Sequence, residues 1–389
     1  MERILLPARP DYEARLRNAG CTFPTMYGAP YMAETLPEPA AYRLTPEEVA
    51  RIAAATREVH TIALAVAEHA CTNEAGMVTL GIPEEWRETV AASWKRGDQD
   101  LYQRLDLCLD ARDGNYKLFE VNGDTPTGVV EMNCNLLWLQ DMVDLGYLAQ
   151  GTDVFNDVRY HLTERFGQLR IRNAVLYFAS ITESDEERDT VRFMEACAQE
   201  AGLHTAYVPL DDIGMTEDGD MADPDNLLIE AMFMLSPWEE MMAGPNGEKL
   251  RRNTTCRLFE PAWKMCWSNK AFLALAWELF PGHPNLLPAY VEGNPQAKRL
   301  RNVIRKPQWG REGQNMTITR KGKVVAANGG DYAQDVMILQ EHIQMPCFDG
   351  RYPILGSWII DGQPAGLLIR EDSNPITGNL SACLPTFTA

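Results

Sequence analysis

The sequence has no CxxC pair, no HExxH, no GxGxxG and no GxxxxGK[ST]. The first two absences set aside a zinc ribbon and a histidine-based metallohydrolase; the last two remove the dinucleotide fingerprint and the P-loop as ways of holding a phosphate. Histidine is scarce, six residues in 389, and His60 and His69 lie too far apart to share one helical turn. The nine cysteines are odd in number and scattered, so reduced thiols are expected in place of a disulfide framework. No apolar run approaches the roughly 20 residues that span a bilayer. The opening MERILLPARPDYEARL carries acids and no apolar core, unlike a signal peptide, so a cytoplasmic protein that engages no membrane is expected. Basic charge is also short: 36 Lys and Arg against 55 Asp and Glu leave a net −19, which argues against a nucleic-acid partner. One stretch departs from this, KRLRNVIRKPQWGR (298–311), which contains no acid and suits either a small polyanion or a solvated basic face.

What is present is enough for more than one core, with 45% hydrophobic and 23% charged residues. Thr45-Pro46-Glu47-Glu48 combines an N-cap, a first-turn proline and a capping-box glutamate, and the apolar series Val49, Ile52, Val59, Ile62, Val66 predicts a helix to about Ala70. A shorter helix carries Trp86, Val90 and Trp94 and stops at Gly97. LYQRLDLCLD and YKLFEVN, joined by ARDGN, read as a hairpin. NAVLYFAS, a capping box at Ser184-Asp185-Glu186-Glu187 and TAYVPL predict a βαβ unit. LLIEAMFML followed by Ser236-Pro237-Trp238-Glu239 repeats the pattern of strand and capped helix. MTITRKGKVVAA and WIIDGQPAGLLIRED are further hairpins, the second turned at Asp361-Gly362. The expected class is mixed α+β and α/β. Its parts are an N-terminal helical segment (1–100), a hairpin with helices (101–165), a βαβ domain (170–245) and a strand-rich region (250–389), interleaved without a linker.

The stretch KLFEVNGDTPTG places Glu120 and Asn122 on one face of a strand. An antiparallel register in which paired residue numbers sum to 226 sets Asp106 opposite Glu120 and Arg104 opposite Asn122. Opposed carboxylates repel unless solvent or a cation relieves them, and two carboxylates with an amide oxygen suit Mg²⁺, which takes its remaining oxygens from water and phosphate. The hairpin alone fits a solvated face with Arg104 as a surface partner equally well. Lys306 at a strand end, the glycine-bounded loop that follows it, Lys270 at a helix start and Arg370 in IRED add the cations of a nucleotide site without a P-loop.

RLDLCLD…KLFEVNGDTPTG, NKAFLALAWELFP, RKPQWGREGQN and GSWIIDGQPAGLLIREDSNPITGNLS resemble, in this order, the synthetase portion of the glutathionylspermidine synthase family, ATP-grasp-like acid–amine ligases; the similarity runs from Tyr42 to Pro385. The resemblance implies an ATP-grasp fold interleaved with a pre-ATP-grasp βαβ domain, ATP, two Mg²⁺ ions, and a C–N bond formed through an acyl phosphate. It implies Arg104 and Asp106 beside the transferring phosphate, and Asp106, Glu120 and Asn122 as Mg²⁺ ligands. Lys270 and Lys306 would contact ATP phosphates, Gln340 would sit near the adenine, and Ile376-Thr377 would lie by the nucleotide. Arg311, Glu312 and Gly313 fall in the mobile lid, and Arg370 would reach the reacting carboxyl or γ-phosphate.

Thr125, Glu186 and Glu187 occupy the positions that in this family face the substrates, a small acid such as a glutathione-like peptide and an amine; capping explains Glu186 and Glu187 as well. Trp238 and Glu239 need only the capping box. No amidase domain precedes the matching region, so amide hydrolysis is not expected, and the ending SACLPTFTA departs from the family's aromatic and histidine-bearing one. A phosphotransferase, or a nucleotide-binding protein without turnover, are the alternatives.

Overall fold

Strands with period-two patterning build the sheet on which the rest is assembled, here described from a computed structural model covering residues 1–171, 174–253 and 255–389. Tyr102–Leu109 and Tyr116–Asn122 form the expected hairpin. They join Tyr352–Ile360, Gln363–Asp372 and Ala382–Leu384 in a five-stranded sheet, antiparallel throughout. Asp361 and Gly362, both at positive φ, make the tight turn between the two longest strands. The long helix Pro46–Thr72 packs on this sheet; its capping box at Thr45 and Glu48 is formed, and Ile52, Val59 and Val66 are fully buried.

A second antiparallel sheet orders its strands Ala289–Val291, Met337–Glu341, Asn302–Pro307, Thr317–Arg320 and Lys323–Ala327. The short helix Ala271–Leu279 packs on the Ala289–Val291 and Met337–Glu341 strands and carries Lys270 at its N-cap. The third layer is the predicted βαβ unit. Arg257–Phe259, Ala231–Met234, Leu176–Ser180 and Thr205–Pro209 form a parallel sheet, with the helix Asp185–Glu200 as one crossover. Its strands Leu176–Ser180 and Ala231–Met234 are buried along their whole length, as parallel strands with covered faces must be.

Two expectations need correction. The first hundred residues are not simply helical: Glu2–Leu5 and Thr386–Thr388 flank Ala40–Leu44 in a three-stranded sheet, so both chain ends are stitched together. Ser236 does not cap a helix. The helix Trp238–Ala243 has Pro237 at its N-cap and no capping from that residue's side chain; the Trp238 N–H donates instead to Asp124 Oδ2 at 3.2 Å. The free N–H groups of a helix start need an acceptor, and a buried carboxylate from a distant loop supplies it. No helix among the described residues is long and apolar enough to cross a membrane.

Candidate active site

The three layers meet around one cavity of about 410 Å³. The carboxyl ends of the parallel strands deliver Glu186, Glu187, Pro237 and Glu240 to it, where open α/β sheets characteristically present their ligand-binding loops. The hairpin delivers Arg104, Asp106, Glu120 and Asn122 from the opposite side. Of the site residues expected from the sequence, Thr125, Lys270, Lys306, Arg311, Glu312, Gly313, Arg370, Ile376 and Thr377 also border it. Gln340 does not: it lies buried behind Lys306, with its Oε1 accepting from Lys306 Nζ at 2.8 Å and its Nε2 donating to Leu118 O at 2.9 Å.

The hairpin register is the predicted one, Asp106 opposite Glu120 and Arg104 opposite Asn122, with an irregularity immediately after Asp106. Cations offset the opposed carboxylates. Arg104 Nε donates to Asp106 Oδ1 at 2.7 Å and its Nη1 to Thr127 O at 2.7 Å, while Lys270 Nζ stands 3.0 Å from Glu120 Oε2. Burial by itself would raise the Glu120 pKa, but Lys270 and Lys306 more than reverse this and hold it low, so the group stays ionised. Burial pulls the Lys306 ammonium down to about 7 against the attraction of Glu120. Gly356, on the neighbouring strand, makes room for Arg104: a Cβ there would meet Arg104 Cδ at 2.9 Å.

Arg370 donates one Nη2 bond to Gly378 O and keeps its buried Nε without a partner. Arg311 donates from Nη2 to Glu239 Oε1 at 2.5 Å and from Nη1 to Thr125 Oγ1 at 3.4 Å. Glu239 is therefore the anchor of the 311–313 loop and more than a helix-cap residue, a correction that sequence spacing could not supply. Gly313, at φ +68°, lies so close to Thr377 that a Cβ would approach its carbonyl oxygen to 2.3 Å, which seats the loop on the 376–377 segment. The basic run 298–311 divides accordingly. Lys306 and Arg311 face the cavity, Arg305 pairs with Glu292, and Lys298, Arg299 and Arg301 are exposed.

The cavity has three chemical zones. Arg104, Lys270, Lys306 and Arg370 surround the carboxylates of the hairpin and suit an oligophosphate. Ile304, Met316, Ile354 and Ile376 give the cavity an apolar lining of the kind a planar ring prefers, and His342, with a buried Nε2 that has no partner, also lines it. Burial, then Arg320 and Lys306, push the His342 pKa down to about 4, so its ring is neutral. Glu186, Glu187, Glu240 and Glu312 make an acidic wall; burial and then Glu186 and Glu240 raise the Glu187 carboxyl to about 7. The sequence reading missed His342, since one histidine just past a strand end gives no signal until its neighbours are known. No cluster of three or more His, Cys, Asp or Glu side chains with metal-binding geometry exists among the described residues. All nine cysteines are free thiols, as expected.

The sequence matches the glutathionylspermidine synthase preATP-grasp family over residues 3–389. A Haemophilus influenzae protein whose name assigns it acid–amine ligase activity is 32% identical, covering 100% of this chain and 99% of that one. Trypanothione synthetase of Crithidia fasciculata is 27% identical over 76% of this chain. The bifunctional glutathionylspermidine synthetase/amidase of Escherichia coli is 24% identical over 86% of it. The matches cover 48% and 56% of those two longer enzymes. Among solved structures, a glutathione synthetase-like effector from Globodera pallida superposes with a TM-score of 0.58 over 97% of this chain and 96% of its own, at 10% identity, a likeness of fold. This chain belongs to the glutathionylspermidine synthase preATP-grasp family.

Proposed function

We propose that the protein is an ATP- and Mg²⁺-dependent acid–amine ligase with an ATP-grasp architecture, in which a carboxylic acid is activated as an acyl phosphate and then taken by an amine. The observation that carries this reading is the convergence of Asp106, Glu120 and Asn122 with Arg104, Lys270, Lys306 and Arg370 on one cavity. Family membership supports the C–N bond-forming class. The two relatives named for glutathionylspermidine and trypanothione synthesis suggest a small thiol peptide and a polyamine as the first substrates to try.

A carboxylate is a poor electrophile, and phosphoryl transfer to it needs charge neutralisation and alignment more than covalent help. Lys270 and Lys306 neutralise the phosphates, Arg104 holds the transferring group, and Arg370, with its spare Nε–H, orients the acid. The hard oxygens of Asp106, Glu120 and Asn122 fit magnesium, and the Asn122 amide is free to turn its oxygen inward because its buried nitrogen has no protein partner. Bound magnesium would supply further neutralisation of the triphosphate. The 311–313 loop, held by Glu239, keeps water from the activated acid. The acidic wall at Glu186 and Glu187 favours a cationic amine.

Incubation with ATP, Mg²⁺, pools of acids and amines, and hydroxylamine as a trap tests the proposal. ADP together with a hydroxamate is the expected result. ADP with a stable phosphorylated compound would convert the reading to a phosphotransferase, and no ADP with any pool would leave a binding protein.

A further inference from the structure

One buried acid beside the cavity has no cation to hold it. Glu131, in the first turn of the helix Val129–Asp144, is 1% exposed. Its Oε1 accepts from Tyr31 Oη at 2.6 Å, and its Oε2 has no partner. Every other buried carboxyl among the described residues bonds to an arginine, a lysine or another residue's backbone N–H. Glu34 holds Arg9, Glu371 holds Arg3, Asp110 holds Arg112, Glu260 holds Lys264, Asp189 takes the Thr22 N–H, and Asp124 the Trp238 N–H. A carboxylate left in apolar surroundings with one hydroxyl donor is costly, and such exceptions are expected where a proton must move. Tyr31 is the link between Glu131 and the cavity: it borders the cavity, where Glu186 and Arg370 also stand, and Glu131 itself does not.

We propose that Tyr31 and Glu131 form a proton relay that takes the proton released when the amine attacks the activated acid. The inference rests on the ligase reading above. In the step, the amine nitrogen bonds to the acyl carbon, the bond from that carbon to the phosphate oxygen breaks, and phosphate leaves with the electron pair. The nitrogen, cationic after attack, gives its proton to Tyr31 Oη while the Tyr31 proton passes to Glu131 Oε1. Glu131 acts through Tyr31 and returns the proton by the same path when product leaves. The placement is suited to this, since Glu186 draws the ammonium form to the corner where Arg370 holds the acid; there the nitrogen gives one proton to bulk water to free its lone pair, and the relay takes the second after attack.

The surroundings set the poise of the pair. Burial and Glu186, from the helix Asp185–Glu200, raise the Glu131 pKa; its bond from Tyr31 and the charge of Arg370, from the strand Gln363–Asp372, lower it, and the outcome is about 7. The Cys134 and Cys383 thiols, which also feel Glu131, stay protonated because their own pKa values are pushed up. Tyr31 is itself held well above its usual pKa by burial, so it relays and does not store the proton.

The test compares Glu131→Gln and Tyr31→Phe with the wild type, using glutathione as the acid and spermidine or hydroxylamine as the nucleophile, with ATP and Mg²⁺. The acid and alkylamine found in the pool assay replace them if wild-type protein prefers another pair. Hydroxylamine is far less basic, so its adduct sheds a proton without help. Both variants should lose about 10²–10³-fold in ligation of the alkylamine while hydroxamate formation stays within about threefold of wild type. The acid limb of the wild-type pH–rate profile should vanish in Glu131→Gln. An infrared pH titration should show protonated-carboxyl absorbance that falls between pH 6 and 8, to which Glu187 also contributes, and the wild-type minus Glu131→Gln difference should isolate the band of one further carboxyl. Equal losses with both nucleophiles, or a difference without that band, would overturn the relay and leave the ligase intact. Wild-type protein that makes no hydroxamate from any pool overturns both.

Discussion

The two five-stranded sheets that enclose the cavity are built to different standards. In the sheet carrying the hairpin, Leu105, Leu107, Leu355, Trp358, Leu367 and Ile369 are fully buried, and Arg104 is paired with Asp106 and Glu120 with Lys270. In the opposite sheet the outermost strand, Lys323–Ala327, is exposed along nearly its whole length, with Val324 64% and Val325 52% exposed. The contrast teaches where precision is required. On the proposed reading, Arg104, Asp106 and Glu120 would meet a triphosphate from the more fully buried sheet, whereas the sheet that carries Lys306 has few buried contacts at its outer edge. Ties between them include the ion pair of Lys270 with Glu120 and the hydrogen bonds from Lys306 to Phe119 O and from Gln340 to Leu118 O, while Arg311 is tied to Glu239 of the third layer.

The largest effect should come from the covered wall. Glu120→Ala removes the partner of Lys270 and a proposed magnesium ligand, and ADP release should fall by about 10²–10³-fold or more while circular dichroism shows an unchanged fold. Near-wild-type turnover would contradict the metal assignment. A smaller effect tests the loop on the other wall. Glu239→Ala leaves Arg311 without its carboxylate, and kcat should drop about tenfold as the loop loses its seat, with a rise in ATP hydrolysis uncoupled from ligation. Tight coupling in that variant would show that Glu239 does not govern water exclusion.

The acidic wall responds to pH in two opposite senses. The Glu187 carboxyl, raised to about 7, is neutral below that value and charged above it. The KM for a cationic amine should therefore fall about two- to fivefold between pH 6 and pH 8, and Glu187→Gln should flatten the change. Stability runs the other way. The folded state binds this proton more tightly than the unfolded chain does, so the Glu187 contribution weakens as pH rises from the ordinary carboxylate range to about 7 and is level above it. A melting temperature with no such component relative to Glu187→Gln would show that partial burial does not raise the Glu187 carboxyl. The smallest effect belongs to the exposed edge: Val324→Thr should change stability by less than about 0.5 kcal/mol and leave turnover unchanged. A larger loss by denaturant melting would mean that this edge is covered by something the isolated chain does not show.

Much of the site was legible because local periodicity carries it. Alternation placed Arg104, Asp106, Glu120 and Asn122 on shared faces, the parity of their numbers allowed the register that the hairpin adopts, and Thr45, Gly97 and Asp361-Gly362 announced a helix start, a helix stop and a turn. The reading failed where partners are remote in the chain. Glu239 looked like a capping residue because Ser236 stands three positions before it, yet Asp124 caps that helix and Glu239 reaches Arg311, 72 residues away. Tyr31 and Glu131 are 100 residues apart and gave no local pattern.

By itself the sequence determined element types, the charged hairpin and the inventory of charged groups, because side-chain period, caps and turn residues act within a few positions of the chain. Only tertiary structure decided which charges neutralise one another, which acid is left without a cation, and that Gln340 serves Lys306 from behind the cavity wall. The reason is electrostatic. The free energy of a buried charge depends on neighbours within a few ångströms in space and on exclusion of water, and neither is encoded by separation along the chain.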